Sequence, residues 1–590
     1  MTTNKITILL MLLLAGLPRV YPMSDPAVFD LGFVPDFIDF SYDDRYMVAE
    51  NDVRYQVWDL NTQTKILDNK HPFKLGRLLK STVVPTGSGY FLFGNEQVFM
   101  TVDYQNNSTE VKAYDVKNGQ LLWETDQLHM AISLAETLMR AHATDVVSVE
   151  AAGGTRLNPR HAVGNFFTRN KMLDRLINYV PERNALFFNG KHGLQAVDIR
   201  SGKMLWTAEG VKGGIGELIY NATTQQLLAI KVPTSEGAID QLTANTEVQA
   251  IDADNGTLQW SVDYTGAFVP GYASVVGNTL VLPYLELTFI DLENGVERNG
   301  DIKSRMEGAR NVTKGLGGLM AIDNALGGNF GKAETTTKYD RLVPRSLHFD
   351  DNGKLCYFIT FNKDGKIGNG GKKGFLKIDI HQDKVLQETF NLLGDSWTPI
   401  QDEMVDGVFY VKASGNMNRT IIKAIDGTTG EELFETEKAK NSADVSNMFS
   451  PFLIANGQII DIASRGIYTL DAKTGKEISY TTTKDLGVGT VVFSHFFEKG
   501  VLIFGTKGVG IMDYEGKVVQ SVEAKNLTDF AANANEVLLL ENKKFTRIDL
   551  QQQKVAETVS FKSRESVVFS PSGKHVMKVN AKGDKIERYN

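Results

Sequence analysis

The sequence predicts an all-β fold, a β-propeller of four-stranded antiparallel blades. Three observations predict it. A strand–turn–strand sentence, VKAYDVKNGQLLWETD at residues 111–126, recurs as LQAVDIRSGKMLWTAE from Leu194, VQAIDADNGTLQWSVD from Val248, IKAIDGTTGEELFETE from Ile422 and IYTLDAKTGKEISYTT from Ile467. Each hairpin is prefaced by two further short apolar strands separated by a turn, giving units of about 40 residues, the signature of a propeller blade. The strand-ending carboxylates form a series: Asp59, Asp115, Asp198, Asp252, Asp291, Asp379, Asp426, Asp471, Asp513 and Asp549, with Asn590 in the equivalent place at the end. That makes about eleven units. Because single propellers typically carry four to eight blades, the count is compatible with one large ring or with two packed rings.

The chain begins with Lys5 followed by the apolar run ITILLMLLLAGL, then Pro18 and polar sequence. This is the pattern of a secretory leader, expected over 1–23 and too short to span a bilayer comfortably. No Cys follows the run, so a lipid anchor through a lipobox cysteine is not expected. Residues 27–33, AVFDLGF, form a spare strand before the first complete unit opens at Pro35, and the last unit, VVFSPSG…KHVMKVN…KIERYN, stops one strand short. Unpaired edges invite aggregation, so the spare strand is expected to complete the last blade. The interruption between the fifth and sixth units suggests a first group of blades over 25–302, a Gly-rich insertion over 303–344 and a second group over 345–590.

Two stretches break the rhythm. Residues 127–150 have helical spacing, with Leu128, Ile132, Ala135, Leu138, Met139 and His142 on one face. Residues 306–333 contain GLGGLMAIDNALGGNFGKA, whose glycines disfavour an isolated helix and suggest a loop or a segment ordered by a partner.

At 590 residues the chain can bury a large core, and its net charge of −8, from 63 basic and 71 acidic residues, favours neither nucleic acid nor an anionic membrane surface. A single cysteine, Cys356, allows no internal disulfide. It lies in the apolar run GKLCYFITF and reads as a small core residue rather than a nucleophile.

The hairpin sentence resembles the repeat of the pyrroloquinoline-quinone (PQQ)-like propellers: a strand ending A-x-D, a T-G or N-G turn, then a strand with Trp. The likeness is strong at Asp115-Asn118-Gly119-Trp123, Asp198-Gly202-Trp206 and Asp252-Asn255-Gly256-Trp260, and clear at Asp426-Gly430-Phe434 and Asp471-Gly475. It decays at Asp379 and Asp549, where HQDK and QQQK lack the turn glycine, while the first and last units look closer to WD-type repeats. The Gly would supply positive φ, the Asp would accept turn amides, and Trp123, Trp206 and Trp260 would bridge adjacent blades as structural glue.

The family implies two classes of function. One comprises quinone-dependent alcohol and sugar dehydrogenases, many with a vicinal Cys pair, calcium held by Glu and Asn, and an Asp base. The other is non-catalytic and includes the lipoprotein scaffold of outer-membrane β-barrel assembly. One cysteine cannot make the vicinal pair. The sequence has no G-x-S-x-G, H-E-x-x-H or P-loop pattern. His129, His142, His161 and His192 lack i, i+4 His spacing, and Asn362-Lys363-Asp364-Gly365-Lys366 lacks the distal Glu of a calcium loop and reads as a turn. The sequons at Asn221 and Asn526 matter only in a eukaryotic secretory route. The expectation is therefore an exported, non-enzymatic scaffold, periplasmic or extracellular. It would bind protein through its loops and the insertions 127–150 and 306–333, with no catalytic, cofactor-binding or metal residues and no cofactor. The alternative is a quinone-dependent oxidoreductase acting on an alcohol or sugar.

Overall fold

The computed structural model describes residues 27–589, apart from 73–85, 129–176, 232–245, 265–272, 299–338, 363–371, 437–451 and shorter breaks of one to five residues. The expected leader 1–23, nearly all of the helical insertion, the Gly-rich stretch 306–333, and His129, His142, His161, residues 363–366, Asn526 and Asn590 lie outside the described residues.

The described residues form eleven sheets of consecutive antiparallel strands. In chain order, blades 1 to 10 span 37–70, 86–125, 177–208, 215–264, 274–298, 339–393, 398–435, 453–482, 491–523 and 527–560; blade 11 combines 566–589 with Val28–Asp30. Blade 6 carries one extra short strand, His348–Phe349, beside Leu355–Asn362.

Inner strands are apolar throughout because both of their faces are buried, so alternation is lost. In the run Gln226–Lys231, Leu227 and Ala229 join a core shared with blade 3, while Leu228 and Ile230 join one shared with blade 5. Each side chain fully buried in this way contributes about 1.5–3 kcal/mol. Similar shared cores link every successive pair of blades. Blades 5 and 6, on either side of the Gly-rich insertion, share Val281, Phe289, Cys356 and Phe358. Blade 10 meets blade 11 through Phe545 and Phe569, and blade 11 meets blade 1 through Phe29, Ile586, Phe40 and Met47. The cores thus run in one closed cycle, and the structure takes the single-ring alternative. Cys356 is fully buried and burial pushes its thiol up, in keeping with a core role.

The fourth strand, the most exposed of each blade, docks onto the next blade. The strand-ending Asp accepts amides two and three residues on: Asp252 from Asp254 at 2.8 Å and Asn255 at 3.2 Å, Asp426 from Thr428 and Thr429 at 2.7 Å each. These amides hold Asp426 below the usual carboxylate range, and the Thr474 hydroxyl and amide do the same for Asp471. The fourth turn residue takes positive φ, as Gly119, Gly202, Gly256, Gly430 and Gly475. Where glycine is absent, Gln63 and Gln553 adopt it instead, at φ 58° and 50°. Onto this turn the preceding blade lays its aromatic. The indole N–H groups of Trp123, Trp206 and Trp260 donate to the carbonyls of Ile199, Ala253 and Leu292 at 2.7, 3.1 and 2.9 Å, each the residue after the next blade's Asp. A β-bulge beside this position in nine of the fourth strands rotates the docking side chain toward its neighbour.

The seam closes as the strand count requires. Val28, Phe29 and Asp30 pair with Glu587, Ile586 and Lys585, and Arg588 donates to Leu60 O at 3.1 Å, the carbonyl after Asp59. Asn533 donates to Ser572 O at 2.7 Å, and the Ser572 hydroxyl donates to Asp44, tying the turns of blades 10, 11 and 1. His575 is fully buried here, and neither ring nitrogen has a hydrogen-bond partner among the described residues.

Two predictions follow from these contacts. A Cβ on Gly256 would lie 2.6 Å from the Trp206 ring, whereas one on Gly277, also at positive φ, meets nothing within 4 Å. Gly256→Ala should therefore lower the denaturation midpoint clearly more than Gly277→Ala, the steric excess being about 1–3 kcal/mol; equal losses would show that the docking contact is absent. Burial, helped by Arg588 and Lys574, depresses the His575 imidazole to about 4. The unfolded chain then binds the extra proton between pH 6.5 and 4, so folding stability falls with pH by about 1.4 kcal/mol per unit from this group. Asp44, whose carboxyl burial raises, acts with the opposite sign. His575→Leu should flatten the acid loss measured by denaturant midpoints at pH 7 and pH 5.

Candidate functional site

Polar side chains meet between blades at several places among the described residues, His348 and Asp402 of blades 6 and 7 at 2.7 Å among them, and three others stand out. Between blades 1 and 2, His71 Nδ1 lies 2.9 Å from Asp103, Tyr90 donates to Glu50, and the Tyr55 and Tyr114 hydroxyls are 3.4 Å apart. Burial raises the Asp103 carboxyl, against the hydrogen bond from His71. His71 Nε2 has no hydrogen-bond partner among the described residues, and the His71 side chain is fully enclosed and Asp103 nearly so. Between blades 7 and 8, the fully buried Lys412 ammonium lies 2.5 Å from Asp461. Removing either partner would strand a buried charge, so this pair fixes the blade contact rather than offering a reactive group.

The third concentration is open to solvent, in the groove between blades 3 and 4. The short 3₁₀ turn Pro181–Arg183 joins the first two strands of blade 3 and projects Glu182 and Arg183. The fourth strand of the same blade supplies Leu205 and Trp206, and blade 4 supplies Tyr220, Gln225 and Asp254. They surround a cavity of about 530 Å³. Arg183 is tied to blade 4 through all three of its nitrogens: Nε donates to the Tyr220 hydroxyl at 3.2 Å, and its two terminal nitrogens donate to Asp254 and Gln225. Gln225, held at φ 55°, is pinned by its own amide donating to Ala222 O at 2.5 Å. Glu182 is exposed and has no ion-pair partner among the described residues.

A wider feature surrounds the ring. Leu121, Met204, Leu205, Leu258, Val296, Leu386, Leu433, Ile478 and Val555 are between 39% and 54% exposed and lie five to seven residues after the strand-ending Asp, all on fourth strands except Val296, which directly precedes one. The bulge that turns Trp206 onto the next blade leaves Leu205 facing outward, and Leu386, Leu433 and Ile478 occupy the same register. The result is a belt of aliphatic side chains on the unpaired edges of eight blades.

Trp123, Trp206 and Trp260 lie in blade docking, as described above. Asn362 ends a strand of blade 6, and His192 sits in an exposed turn of blade 3. Leu128, at the root of the helical insertion, is buried between blades 2 and 3 and accepts a 2.7 Å bond from Thr109. Among the described residues no group of three or more His, Cys, Asp or Glu is arranged to hold a metal ion, and no helix is long and apolar enough to cross a membrane. The groove residues were not singled out in the sequence. Nothing local in Pro181-Glu182-Arg183 says that it meets Tyr220 and Asp254. The belt did leave a signal: paired apolar residues in LLW, MLW and LFE break the alternation of a half-buried edge strand.

Residues 107–315 match the family model described as outer membrane protein assembly factor BamB. This bears out the resemblance to PQQ-like propellers read from the repeats. No curated protein matches the chain. Solved structures similar to it include BamB from Moraxella catarrhalis, at 13% identity and TM-score 0.28, covering 66% of this chain and 95% of that one. A europium-containing methanol dehydrogenase is 12% identical with TM-score 0.28, covering 84% and 83%. Dipeptidyl peptidase 4 of Porphyromonas gingivalis is 9% identical with TM-score 0.36, covering 69% and 64%.

Proposed function

We propose, taking the chain as a PQQ-like propeller, that it is an exported, non-enzymatic scaffold that binds protein partners in the bacterial cell envelope. The observation that carries this reading is the aliphatic belt. A solitary exposed leucine needs no explanation, but exposed aliphatic side chains five to seven residues after the strand-ending Asp in blades 2 to 8, and again in blade 10, present a regular surface. Unpaired strand edges with aliphatic side chains are suited to holding another chain. The apolar run at residues 6–17 behind Lys5 supports export, and the family match over 107–315 supports an envelope setting. The buried His71–Asp103 and Lys412–Asp461 pairs are accounted for by blade contacts and leave the reading unchanged.

The test places a photo-crosslinking residue at Leu258, Leu433 or Ile478, belt positions outside the groove lining, in the exporting cell, with exposed Lys499 as a control position. The expected outcome is a discrete adduct with an envelope protein at one or more belt positions, lost when the neighbouring belt residues are changed to Glu and the melting temperature is kept. Absence of belt adducts, together with stoichiometric PQQ binding and dye reduction by the purified protein, would replace the scaffold with the oxidoreductase.

A further inference from the structure

We infer that the groove between blades 3 and 4 is a subsite for a basic side chain, lysine or arginine, on an exposed segment of a protein partner. This deepens the scaffold reading and rests on it. The walls are amphipathic. Leu205, 48% exposed, and Trp206 supply apolar lining, while Tyr220 and the exposed Glu182 supply polar lining. The cavity of about 530 Å³ is far larger than one water and takes a long side chain without displacing any wall.

Charge decides which side chain. Among the described residues lining the groove the one cation is Arg183, which donates to Tyr220, Gln225 and Asp254, so its charge is already answered by Asp254. Of the two carboxylates, Asp254 is neutralised by Arg183, whereas Glu182 has no counter-ion among the described residues. The groove therefore carries one uncompensated negative charge at the mouth of an apolar slot. Lysine and arginine match this arrangement: an aliphatic stem lies along Leu205 and Trp206 while the charged head stays wet and reaches the carboxylate. A purely aliphatic side chain would leave Glu182 unanswered, and an acidic one would be repelled by it. The Arg183 network fixes the geometry beforehand, because it ties the 181–183 turn of blade 3 to Gln225 and Asp254 of blade 4. The subsite is thus held by two blades rather than by one loop.

The experiment measures fluorescence anisotropy of a fluorescein-labelled heptapeptide, Gly-Ser-Leu-Lys-Leu-Ser-Gly, and its norleucine and glutamate counterparts at the central position, against the full-length protein. The lysine peptide should bind at least tenfold more tightly than either counterpart and weaken as salt rises from 50 to 500 mM. Glu182→Gln should remove most of that preference and Glu182→Lys should reverse it toward the glutamate peptide; Glu182 is exposed, so folding is preserved and is checked by the melting curve. Leu205→Ser should weaken all three peptides alike. Equal affinity for the three peptides, or a preference untouched by Glu182→Gln, would overturn the subsite, as would displacement of the lysine peptide by a neutral disaccharide at lower concentration. The two readings fail separately. Belt adducts that persist with no peptide selectivity leave the scaffold and remove the subsite. Peptide selectivity without any belt adduct confines partner binding to the groove and removes the belt.

Discussion

The constraint on which everything else rests is that each blade is apolar on both faces. A four-stranded sheet with Leu227 and Ala229 on one side and Leu228 and Ile230 on the other cannot stand alone in water, and it cannot end a stack either. Every blade needs two neighbours, so a linear array would leave two costly faces and a ring leaves none. Chain connectivity then dictates the remaining detail: a ring that begins and ends in the same blade needs a strand from each terminus. That is why Val28–Asp30 lies against Lys585–Tyr589.

Blade-to-blade specificity is set by a small device repeated around the circle. The Asp folds the turn, a residue at positive φ clears its outer surface, and the preceding blade's Trp covers it and donates to the adjacent carbonyl. The device tolerates substitution where the physics is preserved. In blade 5, Arg298 stands in the register of the indole and donates to Ile380 O and His381 O at 3.1 and 2.9 Å; in blade 6, Gln387 reaches Thr429 O. Arginine and glutamine are flat, long and able to donate, which is what this position asks for. Where a bulge aims the docking side chain at the next blade, as at Trp206, Gln387 and Phe434, it also turns the aliphatic neighbour Leu205, Leu386 or Leu433 outward. Architecture and candidate binding surface therefore have a common origin.

Much of the fold was legible because its determinants are local. The Asp-x-x-Gly turn, the apolar inner strands and the missing last strand are each visible within a few residues, and the missing strand pointed to residues 27–33. The indole docking could be anticipated because Trp recurs at a fixed distance from Asp. Arg298 and Gln387 were hidden because they share the geometry of Trp and not its chemistry. The groove was hidden for a different reason. Glu182, Leu205, Tyr220 and Asp254 come from four turns and strands of two blades, and only ring packing brings them together. Residues such as Gln63 and Gln553 gave no hint of positive φ, since the turn imposes it on them.

Closure by the first strand is the claim on which the account stands or falls. Val28 and Glu587 face each other across an antiparallel pair, a separation that a disulfide can span. With Cys356 replaced by alanine, Val28→Cys and Glu587→Cys should form an intramolecular bond on mild oxidation, seen by non-reducing electrophoresis and peptide mass mapping, and should raise the melting temperature. A pair that stays reduced, or that links only separate copies of the chain, would contradict a ring sealed by its own N-terminal strand.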